Sequence, residues 1–302
     1  GRVGVAIDWD KLRVFHAVAE AGSFTHAGET LNLSQSAVSR QVSALEQSLG
    51  TPLFHRHARG LILTEQGETL FQTAHNVFAQ LARVQSQLAE NKERPQGALK
   101  ISSTVAFGSV FLASRMKEFV NRFPEIEVSL VLADTELDLS MRQADVAIRL
   151  TPPTQPDLVQ RHLMTLHYRV YAAPEYLQQN GMPKNARDLD KHRIVVYGDD
   201  ARPPAANLNW LLTEHAKEGR PRKPVLRVNS IYGILRAVQS GLGIGALPEY
   251  MGRELGSLVE VLPELQGPEL NMYFVYPEEL RDSARIVAFR DFIVEKIAPL
   301  KK

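Results

Sequence analysis

Five polar residues, Gln35, Ser36, Ser39, Arg40 and Ser43, recur at intervals that line them along one side of a helix. Their amide, hydroxyl and guanidinium groups can bond base edges in a DNA groove or phosphate oxygens. Arg40 is the only charge among them. A small polar helix face is solvated surface as often as an interface, so its context decides the reading. Close behind come Arg56 and Arg59 with His55 and His57, a basic cluster where phosphate contacts would be needed. A third set suits a small molecule. Ser102, Ser103, Thr104 and Val105 link an apolar strand to a helix, and Asn229, Ser230 and Ile231 do the same later in the chain. Ligands of α/β sheets sit at the carboxyl ends of strands, where helix N-termini favour an anion. Arg149 offers a charge partner and Tyr197 with Gly198 a wall. Taken alone, either stretch is better read as a helix N-cap.

Catalytic chemistry finds little to work with. The run Gly241-Leu-Gly-Ile-Gly follows a helix instead of joining strand to helix, so a tight turn explains it better than a dinucleotide site. No nucleophile elbow, phosphate-binding GK[ST] loop or HExxH zinc motif occurs. Zero cysteines exclude disulfides and thiolate metal sites, and the nine histidines are scattered. His55 and His57 could share a metal ion, but DNA-facing side chains in a basic stretch account for them better. With 302 residues, 44% of them hydrophobic, there is room for about two or three domains with packed cores. Lys and Arg total 35 against 34 acids, a net charge of +1, so any pull on nucleic acid must come from local placement. No apolar run reaches the ~18 residues of a membrane helix, and GRVGVAI is too short for a signal peptide, which makes the cytoplasm the expected location.

The polar helix face sits in a well-delimited frame. Phe24, Ala27 and Leu31 stripe one short helix; Val38, Val42, Leu45 and Leu49 stripe the next, with Ser34 as N-cap and Gly50 as left-handed C-cap. Trp9, Leu12, Phe15, Val18 and Ala19 mark a helix packed behind both, ended by Ala21-Gly22, and Trp9, Phe15 and Phe24 are expected in the core. Residues 52–56 and 61–64 read as a β-hairpin, giving a helix-turn-helix with a wing. Next, Leu70, Ala74, Val77, Leu81, Val84 and Leu88 form an a/d seam on a helix over 65–93, ~43 Å long, that asks for a partner helix. A hinge at 94–97 follows. Beyond it strands and helices alternate, which implies a largely parallel sheet. Leu112, Met116, Phe119, Val120 and Phe123 face inward on the first helix; strands at 128–132 and 145–150 flank a short helix at 137–142. A second unit holds strands at 166–172, 194–197, 225–228, 243–247 and 258–262 with a helix at 231–240. A strand at 271–276 and a helix at 284–300 close the chain.

The run SFTHAGETLNLSQSAVSRQVSALEQSLGTPLFHR, with LTEQG behind it, resembles the DNA-binding head of the LysR-type transcriptional regulators. The likeness covers essentially the whole chain and is strongest over 8–67. Ser36 stands where the family often has proline and His26 where it is often basic, departures that bear on operator preference. The resemblance implies an α+β chain: a winged helix-turn-helix DNA-binding domain at 8–65 (helix-turn-helix 23–42), a linker and dimerisation helix at 66–94, and an effector-binding domain at 97–302. That last domain would be two-lobed α/β, like a type 2 periplasmic binding protein, with lobe 1 at 97–162 and 268–302 and lobe 2 at 163–267. The function implied is not enzymatic. It is binding of double-stranded promoter DNA under control of a small-molecule inducer, with no cofactor or membrane. Thr64 joins Gln35, Ser36, Ser39, Arg40, Ser43, Arg56 and Arg59 as an expected DNA contact, and the third set above becomes the inducer site. Self-association as a dimer of dimers is implied, with RNA polymerase as a possible further partner. DWDKLRVFHAVAEAGSF and HRHARGLILTEQG look closer to the LsrB and VtlR type. The competing reading, a solute-binding receptor with an incidental helical head, lacks an export signal.

Overall fold

Asp8 starts the first helix. Its carboxylate accepts from the N–H groups of Asp10 and Lys11 at 3.0 and 3.2 Å, and α1 (Trp9–Ala21) ends at Gly22, φ 69°. Ser23 caps α2 (Phe24–Leu31) through the His26 N–H, and Ser34 caps α3 (Gln35–Leu49) through that of Ala37. The turn between them needs glycine at 28, where a Cβ would lie 2.5 Å from the Leu33 carbonyl oxygen. Strands β1 (Phe54–His57) and β2 (Gly60–Leu63) pair antiparallel, Phe54 opposite Leu63, and lead into α4 (Glu65–Ala89). One core binds these elements: Leu12, Phe15 and Val18 of α1, Ala27 of α2, Val38, Val42 and Leu45 of α3, Leu53 and Phe54 before and in the wing, and Ala74 of α4.

The computed structural model describes residues 6–58, 60–89, 94–134, 144–151, 156–198 and 207–301. They divide into two units, Gly1–Leu88 and Ala89–Lys302. The expected helix at 137–142, residues 90–93 of the long helix and Arg59 lie outside the described residues. Within the first unit Trp9 departs from expectation. It is 61% exposed, because it is the first residue of α1 and core contact begins at Leu12.

The second unit is built on one nine-stranded sheet. β3 (Gly97–Ser103) lies parallel to β4 (Ile126–Leu132) and β5 (Val146–Arg149). Between β3 and β4 the chain winds through α5 (Val105–Phe107), a π turn (Gly108–Leu112), a 3-10 turn (Ala113–Arg115) and α6 (Met116–Arg122). Leu112, Met116 and Phe119 are buried here, whereas Val120 is exposed at the margin of their narrow stripe. β6 (Leu158–Ala172) is followed by α7 (Pro174–Asn180) and β7 (Ile194–Tyr197); then come β8 (Leu226–Val228), α8 (Ile231–Gln239), β9 (Ile244–Pro248), α9 (Glu249–Glu254) and β10 (Val259–Val261). β11 (Glu269–Pro277) and α10 (Ala284–Ile297) complete the unit.

The sheet is parallel only at its flanks. β8 and β9 run parallel to β7 as β4 and β5 do to β3, but the middle is antiparallel, β11 against β5 and β6, and β6 against β9. The cause is the long strand β6. It pairs with β11 as far as His167, and from Tyr168 onward with β9 and β10. The change of partner therefore falls a few residues after the expected 162/163 boundary. β11 returns to the first half-sheet as expected, and α10 buries Ile286, Phe289, Ile293 and Ile297 in the core beside Leu99 and Ile101 of β3.

Candidate functional site

Helix α3 turns Val38, Val42 and Leu45 into the head core and leaves Gln35, Ser36 and Arg40 exposed on the opposite side, with Ser39 and Ser43 half-buried along its edge. The five expected residues thus share one face. Ser36 Oγ lies 3.2 Å from Ser34 Oγ, which ties the start of that face to its cap.

Arg56 of β1 does not simply project toward solvent. Its Nη2 donates to Ser43 Oγ at 3.2 Å and to Glu46 Oε1 at 3.3 Å, and its guanidinium stands 5.4 Å from the Phe24 ring centre. Glu46 also accepts from the Leu53 N–H at 2.7 Å through its other oxygen. The only acid of α3 therefore braces the wing on the recognition helix, and Arg56 offers phosphate only the part of its donor fork left over. Glu46 was missed by the sequence reading. Its signal was an acid on a helix that must approach phosphates, which calls for a nearby cation.

Thr64 is corrected. It is buried, and its hydroxyl donates to the Pro52 carbonyl at 2.8 Å while accepting from the Gly67 N–H at 3.0 Å at the start of α4. It is a helix cap and wing anchor, and both bonds of its hydroxyl are made within the head. His55 and His57 are exposed on β1.

In the second unit Ser102 and Ser103 end β3 fully buried, and Arg149 ends β5 almost as deeply. Arg149 donates to Ser102 Oγ at 2.7 Å and to the Ala133 carbonyl at 3.3 Å. Ser103 Oγ has no hydrogen-bond partner among the described residues. Thr104 precedes α5 without capping it; instead the Val105 N–H donates to Asp134 Oδ1 at 3.1 Å. That carboxylate occupies the position an anionic inducer was expected to take. Ser230 caps α8 through the Gly233 N–H at 3.2 Å, with the exposed Asn229 before it.

Tyr197 and Ile231 line one cavity of about 10 Å³, together with Tyr168, Leu208, Leu211 and Ile234, room for about one water molecule. Asn209 holds the Tyr197 backbone from both sides, accepting from its N–H and donating to its carbonyl at 2.9 Å each. Burial raises the Tyr197 phenol above its ordinary pKa, and the Asp134 carboxylate adds to the rise. The fully buried Tyr250 is pushed well up, first by burial and then by Tyr168, Asp134 and Glu254. The structure brings Ser102 to Arg149 and Tyr197 to Ile231, but no direct bond joins the two groups among the described residues. Gly241, φ 86°, turns the chain from α8 toward β9, as the tight-turn reading requires.

A winged helix-turn-helix with a polar recognition face, followed by a two-part α/β sheet with polar residues at its strand ends, defines a ligand-responsive DNA-binding regulator. Residues 9–68 match the family model described as bacterial regulatory helix-turn-helix protein, lysR family, and residues 92–298 the LysR substrate binding domain. The chain belongs to the LysR family of transcriptional regulators, which are not enzymes. It is 32% identical over 294 residues to the HTH-type transcriptional regulator CrgA of Neisseria meningitidis serogroup C (strain 8013), covering 95% of this chain and 96% of that one. Identity to the HTH-type transcriptional activator TtdR of Escherichia coli (strain K12) is 30% over 286 residues, with 93% and 91% covered. The solved structure of CrgA from Neisseria meningitidis matches with a TM-score of 0.58 at 29% identity, over 97% of this chain and all of that one. No helix among the described residues is long and apolar enough to cross a membrane.

Proposed function

We propose that this chain regulates transcription at a promoter by reading double-stranded DNA with the exposed face of α3, while a small polar effector bound between the halves of the second unit sets the outcome. The observation that carries this reading is the division of α3 into a buried stripe, Val38, Val42 and Leu45, and an exposed polar face, Gln35, Ser36 and Arg40. Gln35 and Arg40 read base edges, Ser36, Ser39 and Ser43 support them, and Arg56 and Arg59 hold flanking phosphates. The second half of α4 supports pairing of two copies: Leu81, Val84 and Leu88 are 52%, 47% and 81% exposed along one stripe. A two-fold pair matches two operator half-sites, and a dimer of dimers extends the contact. The cytoplasm follows as the place of action. The LsrB and VtlR placement rests on the two segments that suggested it.

The effector is assigned to Ser102, Ser103, Thr104, Arg149, Tyr197, Asn229 and Ile231. A plain anion is disfavoured at the Val105 N–H, where Asp134 already accepts. Its binding must favour one arrangement of the halves over another to change DNA affinity.

Titration of the chain against its own upstream DNA at two salt concentrations tests the reading. Salt-sensitive binding with strong preference for one pseudo-palindromic site is expected, and Arg40→Ala should weaken it by about tenfold to a hundredfold, ~1–3 kcal/mol. Unchanged binding by the folded variant would exclude α3 as the reading helix.

A further inference from the structure

His16 and Glu20 stand one turn apart on α1, and His75 reaches them from α4. His16 Nε2 lies 2.8 Å from His75 Nδ1, and both nitrogens lie 3.3 Å from the same oxygen of Glu20. Three donor atoms at such separations are what a tetrahedral zinc ion gathers, since bonds of about 2 Å at tetrahedral angles hold neighbouring ligand atoms about 3.3 Å apart. A point about 2 Å from all three exists just off their plane. The surroundings fit as well. Phe71 and Phe78 flank the His16 ring at 5.4 and 5.2 Å, walling one side. The side chains of His16 and His75 are 15% and 21% exposed, that of Glu20 50%, so the cluster is approached from the Glu20 side.

We propose that His16, Glu20 and His75 form a binding site for a divalent transition-metal ion of the zinc class, with water as the fourth ligand. Two imidazoles and a carboxylate, with no thiolate, suit zinc among the common divalent ions. The site lies outside the recognition helix and the wing. It ties α1 of the head to the helix whose far half carries the exposed seam, so occupancy stiffens the junction from which the head is held. A metal that binds the folded head and not the unfolded chain stabilises it by mass action.

The test uses the whole 302-residue chain without a tag, stripped with EDTA and titrated with zinc chloride, and in parallel with cobalt chloride as a visible probe. One zinc per chain is expected, with a melting temperature several degrees above that of the stripped protein at saturation. His75→Gln should lose this rise and Glu20→Gln should weaken affinity about tenfold, while the stripped variants melt close to stripped wild type. Cobalt should give visible bands of a low-coordinate site that vanish in His75→Gln. His55→Gln/His57→Gln controls for the wing and should behave as wild type. Should His75→Gln fail to fold, Glu20→Gln decides alone. Equal zinc affinity in wild type and Glu20→Gln, loss of binding in the wing variant, or no zinc stabilisation of wild type would each overturn the site.

Discussion

Arg56 shows how little a residue type says until its neighbours are known. Its charge and place on a hairpin mark it for phosphate, yet the contact that organises it is with Glu46, ten positions away across a turn. Thr64 carries the same lesson further. Its hydroxyl satisfies the Pro52 carbonyl and a buried N–H, so Thr64→Val should cost about 1–3 kcal/mol of head stability by breaking both bonds. DNA affinity of the folded variant should match wild type; a selective loss of affinity at unchanged melting temperature would restore Thr64 to the interface. His192 supplies a pH dependence. Burial holds its imidazole below the ordinary pKa, Asp188 pulling weakly the other way, and the Tyr176 hydroxyl lies 2.7 Å from its Nδ1. Between the depressed folded pKa and the ordinary value the unfolded chain binds the proton more readily, so stability rises with pH and is lost as pH falls through that window. The urea midpoint of the second unit should therefore fall between about pH 7 and 5, and fall less in His192→Gln; parallel profiles would rule this out.

At the scale of elements, the three head helices were legible almost to the residue because each is bounded by a capping side chain and a left-handed stop. The long helix was legible as a helix but not in its use. Its seam looks uniform in sequence, yet Leu70, Phe71, Ala74 and Phe78 pack on the head's own core while Leu81, Val84 and Leu88 remain exposed. Only the second half is available for a partner. Leu81→Asp with Val84→Asp should abolish self-association in sedimentation while leaving the helical signal and melting of the head within about 0.5 kcal/mol of wild type, since surface changes rarely cost more. A variant that stays dimeric would move the interface elsewhere. β6 was half-read, at 166–172 only, because its first residues, Leu158-Val159 followed by Gln160-Arg161-His162, do not alternate as a half-buried strand does.

For the second unit as a whole, one contact joins elements the sequence leaves far apart. Arg115, in the 3-10 turn of the first half, grips both oxygens of Glu254 on α9, at 2.6 and 3.0 Å, with its guanidinium 3.5 Å from the Phe111 ring centre. A bidentate, charge-assisted pair of this kind is worth more than a surface ion pair. Arg115→Ala and Glu254→Ala should each destabilise the unit by about 1–3 kcal/mol, and the double variant should lose less than the sum. Strict additivity would mean the pair does not hold the halves.

The sequence by itself determined the order of elements, the helix-turn-helix with its wing and the polar face of α3, because each rests on periodicity and capping within a few turns of chain; the family came from the resemblance of residues 23–56 and the LTEQG run. Tertiary structure alone decided what long-range contact controls. It put Asp134 at the Val105 N–H, where an anion was expected; it made the middle of the sheet antiparallel; and it brought His16 and His75, 59 positions apart and scattered to the eye, to 2.8 Å. The physical reason is common to all three. Local spacing fixes which way a side chain leaves its own helix or strand, whereas the partner it meets is set by how separate elements pack, and no short-range pattern records that.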